Sequence, residues 1–96
     1  MSISQDEALE IISSGEKDAY ELLTDADIKL AQRFRRVDKS ICKLLKDVRK
    51  HFPEAEYYTA SGGFNLMIGK SHCDNGHPQQ ELVAMSGRAS ITDGDF

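Results

Sequence analysis

Residues 71–80 read S-H-C-D-N-G-H-P-Q-Q, and His72, Cys73, Asp74 and His77 fall within six positions of one another. Imidazole, thiolate and carboxylate are the side chains that hold transition metals, and a thiolate beside an imidazole is also a nucleophile with its base. A metal needs three or four ligands converging on one point. This stretch offers His72 or Cys73 together with His77, and Cys42 or His51 would have to complete the set. No C-x-x-C pair and no H-E-x-x-H motif is present. The same residues make a turn: Asp74-Asn75-Gly76 has turn chemistry, and Pro78 holds His77 extended. The turn is the expected structure. His72, Cys73 and His77 remain candidates for a metal, or for the centre of a small enzyme.

A second chemical signal lies upstream. Lys29, Arg36, Lys39, Lys43, Lys46 and Lys50 recur at helical spacing, with Arg35 and Arg49 at the flanks. A helix presenting them on one side could track phosphates. No aromatic residues interleave with the bases to stack on nucleobases, and the whole chain is acidic, net −4. A solvated helix face is therefore expected before an anion-binding one. Ser61-Gly62-Gly63 lacks the spacing of a phosphate loop and reads as a hairpin turn.

The elements that carry these residues follow from periodicity. Ser4-Gln5-Asp6-Glu7 has the form of a capping box, which predicts a helix from about residue 5 to 13 with Leu9 and Ile12 on one face. A second short helix is expected from about 16 to 23, bringing Tyr20 and Leu23 together, and Thr24-x-x-Asp27 reads as the next cap. Leu23, Leu30, Phe34, Val37, Ile41, Leu44 and Val48 then follow an alternating four-and-three series, broken only at Asp27. This predicts one long amphipathic helix over about 25–51, roughly 40 Å long and ended by Pro53. Beyond it the period becomes that of strands, at about 56–60, 64–69 and 81–85, with a fourth possible at 88–92 and a turn at Gly87.

The expected fold is therefore α+β: two short helices, one long helix, then a three- or four-stranded antiparallel meander. Ninety-six residues suit a single domain. It divides into an acidic helical arm (1–24), the long helix (25–52), a sheet (54–92) and an acidic tail (93–96). Charge follows these blocks. Residues 1–27 hold eight acids and one base, 28–52 nine bases and two acids, and 53–96 two bases and six acids, for −7, +7 and −4.

No apolar run approaches the roughly 18 residues that span a membrane. The opening M-S-I-S-Q-D-E lacks a signal-peptide layout. With two cysteines expected to be reduced, a cytoplasmic location is expected. No cofactor is expected. In size, charge blocks and absence of motifs, the chain resembles small accessory proteins encoded by phages and prophages; the resemblance transfers no functional residue.

Three functions are open at this level. The first is a non-enzymatic interaction or regulatory protein, working through protein–protein contacts as a homodimer. Its interface would be Leu30, Phe34, Val37 and Ile41, which outreach the sheet, with two long helices packed antiparallel across a two-fold axis. The second is a nucleic-acid-associated module using the basic face. The third is the metal or enzyme site at 72–77. Leu44 is expected to meet the sheet, which would make Leu44→Ala destabilising by about 2–5 kcal/mol.

Overall fold

The computed structural model describes residues 2–60 and 63–92. The order of elements is α1 (Gln5–Ser13), α2 (Ala19–Ala26), α3 (Ile28–Arg49), β1 (Glu56–Ala60), β2 (Gly63–Met67), a short 3-10 turn (Gln80–Leu82) and β3 (Val83–Gly87). The chain falls into two compact units, Met1–Ser40 and Ile41–Phe96.

In the first unit, the helix boundaries are set by acidic and hydroxyl side chains. Ser4 Oγ accepts the Glu7 N–H at 3.2 Å and so starts α1. The Glu7 carboxylate accepts from the Ser4 hydroxyl, at 3.2 Å, so the reciprocal arm of the expected capping box goes to the side chain. Helix α1 ends at Ser14, after which Gly15 takes a φ of +81°, a conformation that a residue with a Cβ adopts only with strain. The full capping box belongs to α2. Asp18 accepts from the Glu21 N–H at 2.8 Å, while the Glu21 carboxylate accepts from the Asp18 N–H at 3.2 Å. This moves the start of the second helix from about 16 to Ala19.

Asp27 separates α2 from α3. Its backbone is extended, its N–H closes α2 on the Leu23 carbonyl, and its carboxylate accepts from the Lys29 N–H at 2.9 Å. Thr24, expected to open the cap, instead stays inside α2 and donates back to the Tyr20 carbonyl at 3.1 Å. The long helix consequently starts at Ile28 and ends at Arg49, 22 residues in all, which is roughly 33 Å at 1.5 Å per residue. Leu23 lies on α2 and is not part of the α3 series. The inward face of the short helices is also turned from the expected one. Ala8, Ile11 and Leu22 are half-buried, whereas Leu9, Ile12, Tyr20 and Leu23 are exposed. Ala31 is the one buried residue described in this unit.

The second unit holds the sheet, in the order β1-β2-β3 with both pairs antiparallel. Tyr57 faces Leu66 and Thr59 faces Phe64 across the first pair. Because alternate residues share a face, these four lie on one side. There the Tyr57 and Phe64 rings stack at a centroid distance of 4.8 Å. Tyr57 Oη donates to the Ile41 carbonyl at 2.8 Å, and Arg49 Nε donates to the Ala55 carbonyl at 2.8 Å, so this face meets the end of α3. Leu45 and Val48 are half-buried there, and Ala55 is fully buried.

Several expectations about this unit are corrected. Leu44 is 49% exposed, whereas Leu45 and Val48 are half-buried. The expected loss for Leu44→Ala is therefore about 1 kcal/mol rather than 2–5, measured by urea unfolding. A fourth strand at 88–92 does not form. Gly87 is the last residue of β3, paired with Phe64, and is not a turn. The pairing with β2 ends at Gly87, and 88–92 carry no regular structure. Strand β3 itself begins at Val83, since 80–82 form the 3-10 turn, and β2 stops at Met67, where the register shifts against β3. The turn expected at Ser61-Gly62 and the acidic tail 93–96 lie outside the described residues.

Partial burial of Tyr57 pushes its pKa above the ordinary 10.0, and the neighbouring Cys42, once ionised, pushes in the same direction. The folded chain thus keeps this proton in a range where the unfolded chain has lost it. Stability is whole below pH 10 and declines as pH rises through the folded pKa. Tyr57→Phe should cost about 1 kcal/mol at neutral pH, for the lost hydrogen bond, and should flatten the decline above pH 10. Urea midpoints of the two proteins between pH 8 and 11 check both effects. Parallel curves would refute the assignment to Tyr57.

Candidate functional site

The 71–80 stretch is a small hairpin closed by its own backbone. Gln79 N–H donates to the Ser71 carbonyl at 2.7 Å, Cys73 N–H to His77 at 2.9 Å and Gly76 N–H to Cys73 at 2.9 Å. His72 and Pro78 pair as an isolated bridge. Gly76 has a φ of +80°, the left-handed conformation that the tip requires. The base is tied to the sheet by the Glu56 carboxylate, which accepts from the Ser71 N–H at 3.2 Å.

This arrangement does not gather the candidate ligands into a metal site. His72 and His77 are exposed, Cys73 is half-buried, and Cys42 and His51 are exposed elsewhere in the unit. Among the described residues, no group of three His, Cys, Asp or Glu side chains is placed to hold a metal ion. The His72 ring instead lies edge-on to Tyr58, centroids 5.8 Å apart, with Nδ1 3.1 Å from Ser71 Oγ. Behind this pair is a cavity of about 500 Å³ lined by Tyr58, Asn65, Met67, Val83 and Ser86. It opens on the sheet face opposite Tyr57. Its polar floor is already partnered: Ser86 Oγ donates to Asn65 Oδ1 at 2.7 Å, and Asn65 Nδ2 donates to the Tyr58 carbonyl at 3.1 Å. No sequence motif marks this cavity, because it arises from three strands and a loop meeting.

The residues expected at an interface are placed on α3 and remain largely open. In the first unit Leu30 is half-buried, Phe34 is 71% exposed and Val37 is 55% exposed. In the second, Ile41 is 36% exposed. The basic residues are all exposed: Lys29, Arg36 and Lys39 in the first unit, and Lys43, Lys46 and Lys50 in the second. Lys50 is paired with Asp47 at 3.3 Å. Arg35 is drawn to Tyr20, donating to its hydroxyl at 3.1 Å.

One feature was not legible in the pattern of any single helix. Between α1 and α2 runs a groove of about 830 Å³, lined by Ile3, Ile11, Ile12, Leu22 and Leu23. Glu16, Lys17 and Asp25 stand along it. Lys17 forms an ion pair with Asp25, which raises the pKa of its ammonium. Among the described residues no helix is long and apolar enough to cross a membrane. The chain matches no family model, no curated protein and no solved structure.

Proposed function

We propose that this chain is a non-enzymatic interaction protein that works through protein–protein contact and is itself a homodimer. The observation that carries this reading is the apolar surface of the helical unit. Phe34 and Val37 are 71% and 55% exposed on α3, while Ala31 is the only described residue of Met1–Ser40 that is buried. Large apolar side chains grouped on one face, beside so small a core, are normally covered by a partner. The opposed charge blocks favour a second copy as that partner, since each chain carries both signs.

Light scattering at about 100 µM protein tests the reading, because even micromolar affinity would put most of the chains in the dimer there. A mass of twice 10.7 kDa is expected, and a mass of 10.7 kDa would overturn it.

A nucleic-acid role is the second reading, supported by the exposure of Lys29, Arg36, Lys39, Lys43 and Lys46. A gel shift at low salt separates it from the first. Binding through this face would weaken by about 0.9 log units per log unit of salt for each phosphate contacted. Absent or salt-independent binding removes it.

A further inference from the structure

The unit Met1–Ser40 carries two apolar features with opposite charge around them. One is the α1–α2 groove, floored by Ile11, Ile12, Leu22 and Leu23. Of its charged residues, Glu16 and Asp25 are acids, and the one base, Lys17, is taken up by Asp25. Residues 1–27 around it hold eight acids against one base. The other feature is the line Leu30, Phe34 and Val37 on α3, at positions i, i+4 and i+7. Arg33 and Arg35 stand about 100° to either side of Phe34 on the helix. Residues 28–40 hold five bases and one acid, Asp38.

Anchors at this spacing are those by which an amphipathic helix lies in an apolar groove. We infer that the α1–α2 groove of one copy receives the Leu30–Phe34–Val37 line of a second copy. The inference rests on the dimer reading and names the surface that receives the α3 stripe. Under two-fold symmetry the exchange is reciprocal: each stripe enters the other chain's groove, and each basic flank meets an acidic rim. Packing α3 directly on α3 would leave both grooves open. It would also set Arg33 and Arg35 of one chain near those of the other, a like-charge contact that opposes association.

Variants in the groove, above all in its apolar wall, distinguish the two arrangements, because an α3–α3 dimer leaves that wall uncovered. The double variant Glu16→Lys/Asp25→Lys, with helix content checked by circular dichroism, should raise the dimer dissociation constant at least tenfold. Ile3→Asp, outside any helix at a residue 51% exposed and checked in the same way, should do the same. Mixing the groove variant with Arg33→Glu/Arg35→Glu should restore association as a heterodimer, since both exchanged contacts then pair opposite charges. If the wild type is a dimer and neither groove variant weakens it, the groove assignment falls and the dimer reading stands. If the wild type is a monomer, both fall.

Discussion

Phe34→Asp is expected to convert the protein to a monomer at concentrations where the wild type is a dimer. The single chain does not need this side chain: it is 71% exposed, in the first third of α3, and an aspartate there loses little packing within the chain. In a two-fold dimer the same ring is buried twice. A phenylalanine buries on the order of 150–250 Å², so covering its exposed part is worth about 3 kcal/mol per copy. Desolvating an unpaired carboxylate adds to the loss. Together the two copies should raise the dissociation constant by roughly a thousandfold or more. Light scattering reads the mass, and circular dichroism reads the helix and strand content, which should stay near that of the wild type. A variant that unfolds would place Phe34 in the core of the single chain and put the interface elsewhere.

Met67→Ala should be among the most damaging single truncations in the sheet unit. Strand β2 has a neighbour on each side, and Met67 stands opposite Glu56 on one and Val83 on the other. It is 2% exposed, the largest side chain that is wholly enclosed among the described residues. Truncation removes the transfer free energy of the thioether chain and leaves a cavity, a loss of about 2–5 kcal/mol. That is a large fraction of the roughly 5–15 kcal/mol by which domains are stable. Met85 provides the matched control. It is the same residue type on the neighbouring strand β3, but 70% exposed, so Met85→Ala should change stability by no more than about 0.5 kcal/mol. Urea unfolding of both variants gives the comparison. Equal losses would mean that the register of β2 against β3 is wrong.

Local chemistry determined the order and type of the elements. The helix over 5–13, the helical series through Leu30, Phe34, Val37, Ile41 and Val48, and the strand at 56–60 depend on interactions within a few residues. Side-chain periodicity and Ser4, Pro53 and Gly15 therefore reported them directly. The turn at Asp74-Asn75-Gly76 was legible for the same reason, as was the charge division at about residue 27. What only the tertiary structure decided was which side of each element is covered and where competing signals resolve. Asp27 could have been an interior position of a longer helix, and its carboxylate binding the Lys29 N–H made it a boundary. Leu44 and Leu45 are adjacent and both apolar, and it is Leu45 that the folded chain half-buries while Leu44 stays 49% exposed. Gly87 could turn or extend; pairing with Phe64 extended it and left 88–92 beyond the sheet. His72 sits against Tyr58, fourteen positions away in sequence, and the α1–α2 groove joins residues from two helices. A sequence pattern records the period of an element but not the partner that fills its apolar face, because burial is a property of two surfaces brought together.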